Sequence, residues 1–337
     1  MSLYCAIDLH STNNVPVVID ENDKILFQKR LPNDLKTVLS ALAPFRQNLY
    51  GVAVESTFNW YWLVDGLAEH GYNMMLVNTC AVKQYEGIKH TNDFSDALWL
   101  AHLMRLNILP TGYIYPPKER AVRDLLRKRL QMVRHRVTHI LSAQNQLWRT
   151  TGLNIPAKQI KKSDPALLDL ISDANVKMAI QSNLTIIQAL SVEIQLLECS
   201  VKQQTTLKPE FQSLLTINGI GDILGLTIML ECGDIRRFPS VGHFSSYARC
   251  VDSSRISNGK KKGTNNKKNG NAYLSWAFIE AAHSIIRYNK VAHRFYQRKR
   301  AKVNGALATK ALAHKLARAA YYVMRDQVPF QIERLFC

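Results

Sequence analysis

Over the first 112 positions, apolar residues cluster in short runs broken by turn residues. LYCAIDL (3–9), VPVVID (15–20) and KILFQKRL (24–31) predict three strands, with Asn13-Asn14 and Glu21-Asn22-Asp23 as the turns between them. Pro32-Asn33-Asp34 opens a short helix with Leu35, Val38, Leu39 and Leu42 on one face. NLYGVAVEST (48–57) predicts a buried strand, apolar until Glu55. A helix over 59–70, a strand over 72–78, a short helix after it and a helix beginning near Asp93 complete the set. Three consecutive strands followed by alternating helices and strands predict a mixed α/β domain, with boundaries at 1–115.

From about residue 116 the apolar period becomes helical. Leu125, Leu126, Met132, Val133, Val137, Ile140 and Leu141 mark one run, over 118–149. Met178, Ile180, Leu184, Ile187, Leu190, Ile194 and Leu197 mark a second, over 176–203. Two long helices joined by a polar, Pro-containing segment predict an antiparallel helical (coiled-coil) arm over 116–205. Within 206–337, Asn218-Gly219-Ile220-Gly221 lies between two helical runs. It reads either as a hairpin offering backbone N–H groups to a phosphate or as an ordinary turn. Residues 253–274 are Lys-rich and read as a loop, and helices over 272–288 and 305–325 close a mainly α-helical region.

Charge adds a second division. The 337-residue chain has a formal net charge of +18. Residues 1–112 carry 8 Lys+Arg against 11 Asp+Glu, so the excess of cations lies entirely beyond them. Residues 118–149 hold nine Lys+Arg and two Asp+Glu, and residues 255–302 hold thirteen Lys+Arg against Glu280 alone. A basic body joined to a slightly acidic head predicts a polyanionic partner, nucleic acid, for the body and different chemistry in the head. Arg127 and Arg129 in the first arm helix are candidate nucleic-acid contacts, as are Arg255, Lys260, Lys261, Lys262, Lys267 and Lys268 in the Lys-rich segment. Six scattered cysteines without a CxxC pair argue against a zinc site or disulfide framework. No uninterrupted apolar run spans a bilayer and MSLYCAIDLH lacks a signal-peptide pattern, so a cytoplasmic protein without a membrane partner is expected.

Four carboxylates in the head have informative positions. Asp8 lies near the end of the first strand and Glu55 terminates the buried strand; if these strands are neighbours, the two acids sit side by side. Asp93 and Asp96 are three apart and share a helix face. Carboxylates on apolar strands need a partner or a metal, and several around one point suit Mg²⁺ or Mn²⁺. A pair of such ions can clamp a scissile phosphate. Asp93 can also serve as a helix cap, as can Thr91 or Asn92. A sugar-kinase phosphate loop at AIDLHSTNN is set aside, because His10 stands where that loop needs Gly and no second phosphate loop follows.

The order of elements and the D…E…D-x-x-D acids resemble the RuvC/RNase H-like fold. The chain as a whole resembles the DEDD-type insertion-sequence transposases related to the Piv DNA invertases. Asp93, Asp96, Ala97, Leu100 and Ala101 match one motif of that family, and Gly219, Ile220, Gly221, Phe238, Pro239 and Ser240 another. Lys268, Gly270 and Asn271 match a later Lys-x-Gly-Asn pattern. The resemblance implies a RuvC-like catalytic domain, a helical arm and a C-terminal transposase domain with a nucleophilic serine. Ser257 best matches that serine, with Ser253 and Ser254 as alternatives, because Arg249-Cys250 and Asp252 replace the family's Gly-Leu and Pro. It further implies catalysis by Asp8, Glu55, Asp93, Asp96 and Ser257, with the four acids holding Mg²⁺ or Mn²⁺. The implied intermediate is a phosphoserine. The implied partners are donor and target DNA, a structured guide (bridge) RNA and further copies of the chain, as a homodimer assembling into a tetramer. The competing reading is a RuvC-like nuclease or Holliday-junction resolvase that activates water.

Overall fold

The computed structural model describes residues 2–82, 92–205, 208–263 and 269–336. The chain divides into two units, Met1–Pro117 and Lys118–Cys337.

The first unit is built on β1 (Leu3–Leu9), β2 (Asn13–Ile19), β3 (Ile25–Gln28), β4 (Leu31–Pro32), α1 (Leu35–Leu42), β5 (Leu49–Glu55), α2 (Tyr61–Glu69), β6 (Met74–Val77), α3 (Thr79–Val82), α4 (Asp93–Arg105) and β7 (Thr111–Gly112). The sheet runs β3-β2-β1-β5-β6-β7, with β4 also paired to β2. β1 is antiparallel to β2 and parallel to β5, and β5 is parallel to β6. This mixed sheet is consistent with a RuvC-like domain.

Both faces of the sheet are covered, which explains why β1 and β5 are apolar at nearly every position. Cys5, Ile7, Val52 and Val54 join Val38, Leu42, Leu63 and Leu67 in one core under α1 and α2. Ala6, Val17 and Ala53 pack on the other face with Ala97, Leu100, Ala101 and Met104 of α4. Two expectations are corrected. Asn13-Asn14 belong to β2 rather than to a turn, because the buried Asn14 amide donates to Pro32 O at 3.0 Å and Asn33 Oδ1 at 3.2 Å. The run 24–31 is also two short strands rather than one.

The second unit is helical. It contains α5 (Pro117–Thr151), α6 (Ala157–Ile160), α7 (Ala174–Gln204), α8 (Pro209–Leu215), α9 (Asp222–Cys232), α10 (Val241–Tyr247), β8 (Arg255–Ser257), β9 (Lys260–Gly263), α11 (Ala272–Tyr288), α12 (Lys290–Arg300), α13 (Gly305–Asp326) and α14 (Ile332–Leu335). α5 and α7 are antiparallel, as the arm predicted: Arg129 pairs with Glu198 at 2.7 Å, Arg136 donates to Ser191 Oγ at 3.1 Å, and His139 meets Asn183 at 2.9 Å. Ile180, Leu184 and Ile187 close the arm against Ile140, Ala143 and Leu147. Val137, Leu141 and Met178, expected in that stripe, are instead exposed. By length and composition alone α7 is apolar enough to cross a membrane, and its polar pairings with α5 suit a helical hairpin. Around α11 and α13 lies the main core, with Phe244, Phe278, Leu312 and Leu316 fully buried.

Two further corrections concern this unit. The segment 255–263 is a β-hairpin rather than a loop. A basic helix, α12, follows α11, separated by Asn289, whose side chain accepts from Val291 N at 2.9 Å and Ala292 N at 3.0 Å. The five cysteines among the described residues are free thiols, and burial pushes Cys232 and Cys250 up to about 12.

Candidate active site

Ile7 of β1 lies opposite Val54 of β5 in a parallel ladder. The next residues, Asp8 and Glu55, therefore stand at the C-terminal ends of neighbouring strands. Ala6 and Ala53, two positions earlier, face α4; by the two-residue period of a strand, Asp8 and Glu55 face the same side. α4 meets them with its first turn, which carries Asp93 and Asp96. The N-cap is Asn92: its Oδ1 accepts from Phe94 N and Ser95 N, both at 3.0 Å, and Ser95 Oγ accepts from Asn92 N at 2.7 Å. This closes a capping box and relieves Asp93 of the capping role. Thr91, the other candidate cap, lies outside the described residues.

Asp8 is 6% exposed. Burial raises its pKa, the negative charges of Asp93 and Asp96 raise it further, and His10 and Arg30 oppose them. Asp93 is held low, first by the Arg30 guanidinium, which donates to its Oδ2, and then by His10. His10 Nε2 lies 3.2 Å from Asp8 Oδ2 and 3.3 Å from Asp93 Oδ2. Ligand atoms of Asp8, His10 and Asp93 all lie within 4.8 Å of one another. Glu55 and Asp96 stand outside that group, on the adjacent strand end and one helical turn onward. The backbone of His10 is fixed by Asn33 Nδ2 at 3.0 Å and Asn59 Nδ2 at 2.8 Å, both donating to its carbonyl. Carboxylate oxygens of a strand end and a helix first turn brought together with an imidazole nitrogen, one of the acids being buried with a raised pKa, fit a divalent cation.

Ser257 is the last residue of β8 and is exposed, paired with Lys260 across a two-residue turn. The turn residues Asn258 and Gly259 have φ of 50° and 69°, as a type I′ hairpin turn requires. Ser253 and Ser254 precede the hairpin. Nearby, Asp252 is paired with Lys310 of α13.

Residues 5–151 match the DEDD transposase model of the IS110 group, described as Transposase, and residues 212–297 match the model described as Transposase IS116/IS110/IS902 family. Two segments of the chain, one in each unit, are thus similar to transposase domains of the IS110 family. The chain is also similar to a Pseudomonas aeruginosa protein described as "Probable family 20 transposase", at 25% identity over 245 residues, covering 70% of this chain and 71% of that protein. Transposases of this kind cut and rejoin DNA.

The match in the second unit, over residues 212–297, spans the hairpin that carries Ser257. Lys260 and Lys262 are exposed beside Ser257. Lys267 and Lys268 lie outside the described residues, as do the side chains of Arg255 and Lys261. Arg127 and Arg129 depart from expectation, because both are engaged inside the protein. Arg127 makes a two-pronged bond to Glu231, at 2.6 Å and 2.7 Å, and lies over the Tyr273 ring. Glu231 is 2% exposed and also accepts from Asn271 Nδ2 at 2.7 Å. Arg129 is held by Glu198. The exposed cations that sequence reasoning passed over are on α12, where Arg294, Arg298, Lys299 and Arg300 face solvent and only Ala292 is buried. Gly219 resolves its two readings toward packing: at φ +94° its Cα lies so close to α11 that a Cβ would meet Ala281 O at 2.7 Å.

Sequence reasoning also missed His10 and Arg30 at the acid site. His10 had a signal, since it lies two residues after Asp8, just past the end of β1. Arg30 had none, being brought to Asp93 by the turn between β3 and β4.

Proposed function

We propose that this chain is an insertion-sequence transposase whose chemistry uses the carboxylates of the first unit and the serine of the second. The observation that carries this reading is the placement of Asp8 and Glu55 at adjacent parallel strand ends, facing the Asp93–Asp96 turn of α4, in a chain with segments similar to IS110-family domains. Asp8, Glu55, Asp93 and Asp96 would hold Mg²⁺ or Mn²⁺, and such an ion would supply positive charge near a phosphate oxygen and favour loss of the nucleophile's proton. Ser257 is a weak nucleophile without such help. Its Oγ attacks phosphorus; the Oγ–P bond forms as the bond from phosphorus to the leaving deoxyribose oxygen breaks. The serine proton is lost and the leaving oxygen gains one. Rejoining reverses the attack with a new strand, so the phosphate ester is conserved throughout.

The exposed hairpin supports this role by presenting Oγ outward beside Lys260 and Lys262, which hold phosphate oxygens without regard to base sequence. A structured guide RNA that chooses donor and target fits a protein rich in backbone-binding cations. The exposed apolar residues Val137, Leu141 and Trp148 on α5, and Met178, Val192 and Leu196 on α7, support self-association of the arm into a homodimer and then a tetramer.

The test is strand transfer between donor and target DNA in the presence of RNA that co-purifies with the chain. Asp8→Asn and Ser257→Ala each abolish transfer while nucleic-acid affinity stays within about threefold, since both leave the cationic surface intact. Transfer that survives Ser257→Ala contradicts the serine assignment, and transfer that survives Asp8→Asn contradicts the acid site.

A further inference from the structure

We infer that His10 is a nitrogen ligand of the cation in the acid site, and that the site thereby favours Mn²⁺ over Mg²⁺. The inference rests on reading the acids as a metal site and adds a donor that no carboxylate motif contains.

Three observations carry it. His10 Nε2 is a buried nitrogen whose contacts with its neighbours lack the geometry of a good hydrogen bond. Yet it lies 3.2 Å and 3.3 Å from oxygens of Asp8 and Asp93. One proton on Nε2 points toward one acceptor at a time, so two carboxylates at nearly equal distance suit a proton poorly. A cation placed among the three atoms serves them all, and they already lie within 4.8 Å of one another.

The second observation is the anchoring. The peptide of His10 is held on both sides: its N–H donates to Asn13 O at 2.9 Å, and its carbonyl accepts from Asn33 and Asn59. Asn59 is in turn bonded by Thr57 Oγ1 at 3.0 Å, and Thr57 N donates to Glu55 O at 2.9 Å. The same short network therefore ties His10 to the backbone of Glu55, the acid on the neighbouring strand. These contacts hold the backbone from which the imidazole of His10 extends toward Asp8 and Asp93.

Third is the donor chemistry. Mg²⁺ takes oxygen ligands and gives up water reluctantly. Imidazole shifts a carboxylate site toward first-row transition metals, and Mn²⁺ accepts both donor types. A site with two carboxylates and one imidazole at its centre is better matched to Mn²⁺ than an all-carboxylate site.

Pulsed electron paramagnetic resonance of the full chain loaded with Mn²⁺ tests this directly. The wild-type spectrum should show hyperfine coupling to a directly bound imidazole nitrogen. His10→Gln, whose fold is checked by its melting curve, should lose that coupling and bind Mn²⁺ more weakly than wild type, with a smaller loss for Mg²⁺. Mn²⁺ that binds wild type, is lost with Asp8→Asn and shows no nitrogen coupling overturns the role of His10 while leaving the acid site standing. Mn²⁺ binding that is unaffected by Asp8→Asn overturns both.

Discussion

The two halves of the proposed chemistry are built in opposite ways. The acids sit on strand ends and a capped helix, between cores on both faces of a sheet, with Asp8 almost fully buried. The serine sits on an exposed two-stranded hairpin pinned by one Asn-Gly turn. A metal site needs several donors held to within fractions of an ångström, and rigid elements supply that. A nucleophile that must reach a phosphate and later release it can stand on a lightly held tip. The difference teaches that stability and activity should separate differently in the two units.

The largest effect sharpens that contrast. Asp8→Asn and Ser257→Ala should each lower strand transfer by about a thousandfold or more, measured on matched donor and target DNA. Only the acid variant should also lower Mn²⁺ or Mg²⁺ affinity. Ser257→Ala should leave the melting temperature unchanged to within about 1 °C, as for other surface substitutions.

Next in size, Arg127→Ala should destabilise the second unit by about 3 kcal/mol, because it leaves Glu231 buried without its charge partner. Chemical denaturation measures this. Its salt dependence of DNA binding should match wild type; a reduced slope would make Arg127 a phosphate contact after all. The reverse pattern is expected of α12. Removing Arg294 and Arg298 together should lower the slope of log affinity against log salt by about 2, with little change in stability.

The smallest effect concerns pH. Asp8 titrates above its ordinary value in the folded chain, chiefly through burial. The folded state therefore holds this proton more tightly than the unfolded chain does. The stabilising contribution is present below the unfolded value of about 3.9 and is lost as pH rises through the folded one. Asp8→Asn should accordingly melt a few degrees higher than wild type at pH 7 without added metal, and the gap should close as pH falls toward 4. A variant that melts lower at neutral pH would mean that the charge of Asp8 is well compensated in the fold.

Much of the acid site was legible in the chain itself. LYCAIDL and NLYGVAVEST read as buried strands because both sheet faces are covered, and an acid ending each run stood out against that background. The D-x-x-D spacing placed two more acids on one helix face. The missing parts depend on tertiary contacts: Arg30 reaches Asp93 across more than sixty residues of sequence. The fate of Arg127 depends on a buried glutamate over a hundred residues away. The hairpin is a different case, because Asn258-Gly259 is the dipeptide that a type I′ turn prefers, and the surrounding lysines masked it as a loop. α12 was hidden by its own composition, since a helix that buries only Ala292 leaves almost no apolar period to read.

On this reading Ser257 forms the covalent bond to DNA, and the bond does not form without the acids. The most direct measurement is mass-spectrometric mapping of the peptide left attached to DNA after wild-type protein acts on a nicked substrate that prevents rejoining. A phosphodiester link at Ser257 is expected, absent in Ser257→Ala and in Asp8→Asn. Cleavage by wild type with no attached peptide, lost with Asp8→Asn but kept in Ser257→Ala, would contradict this reading and identify a nuclease that uses water.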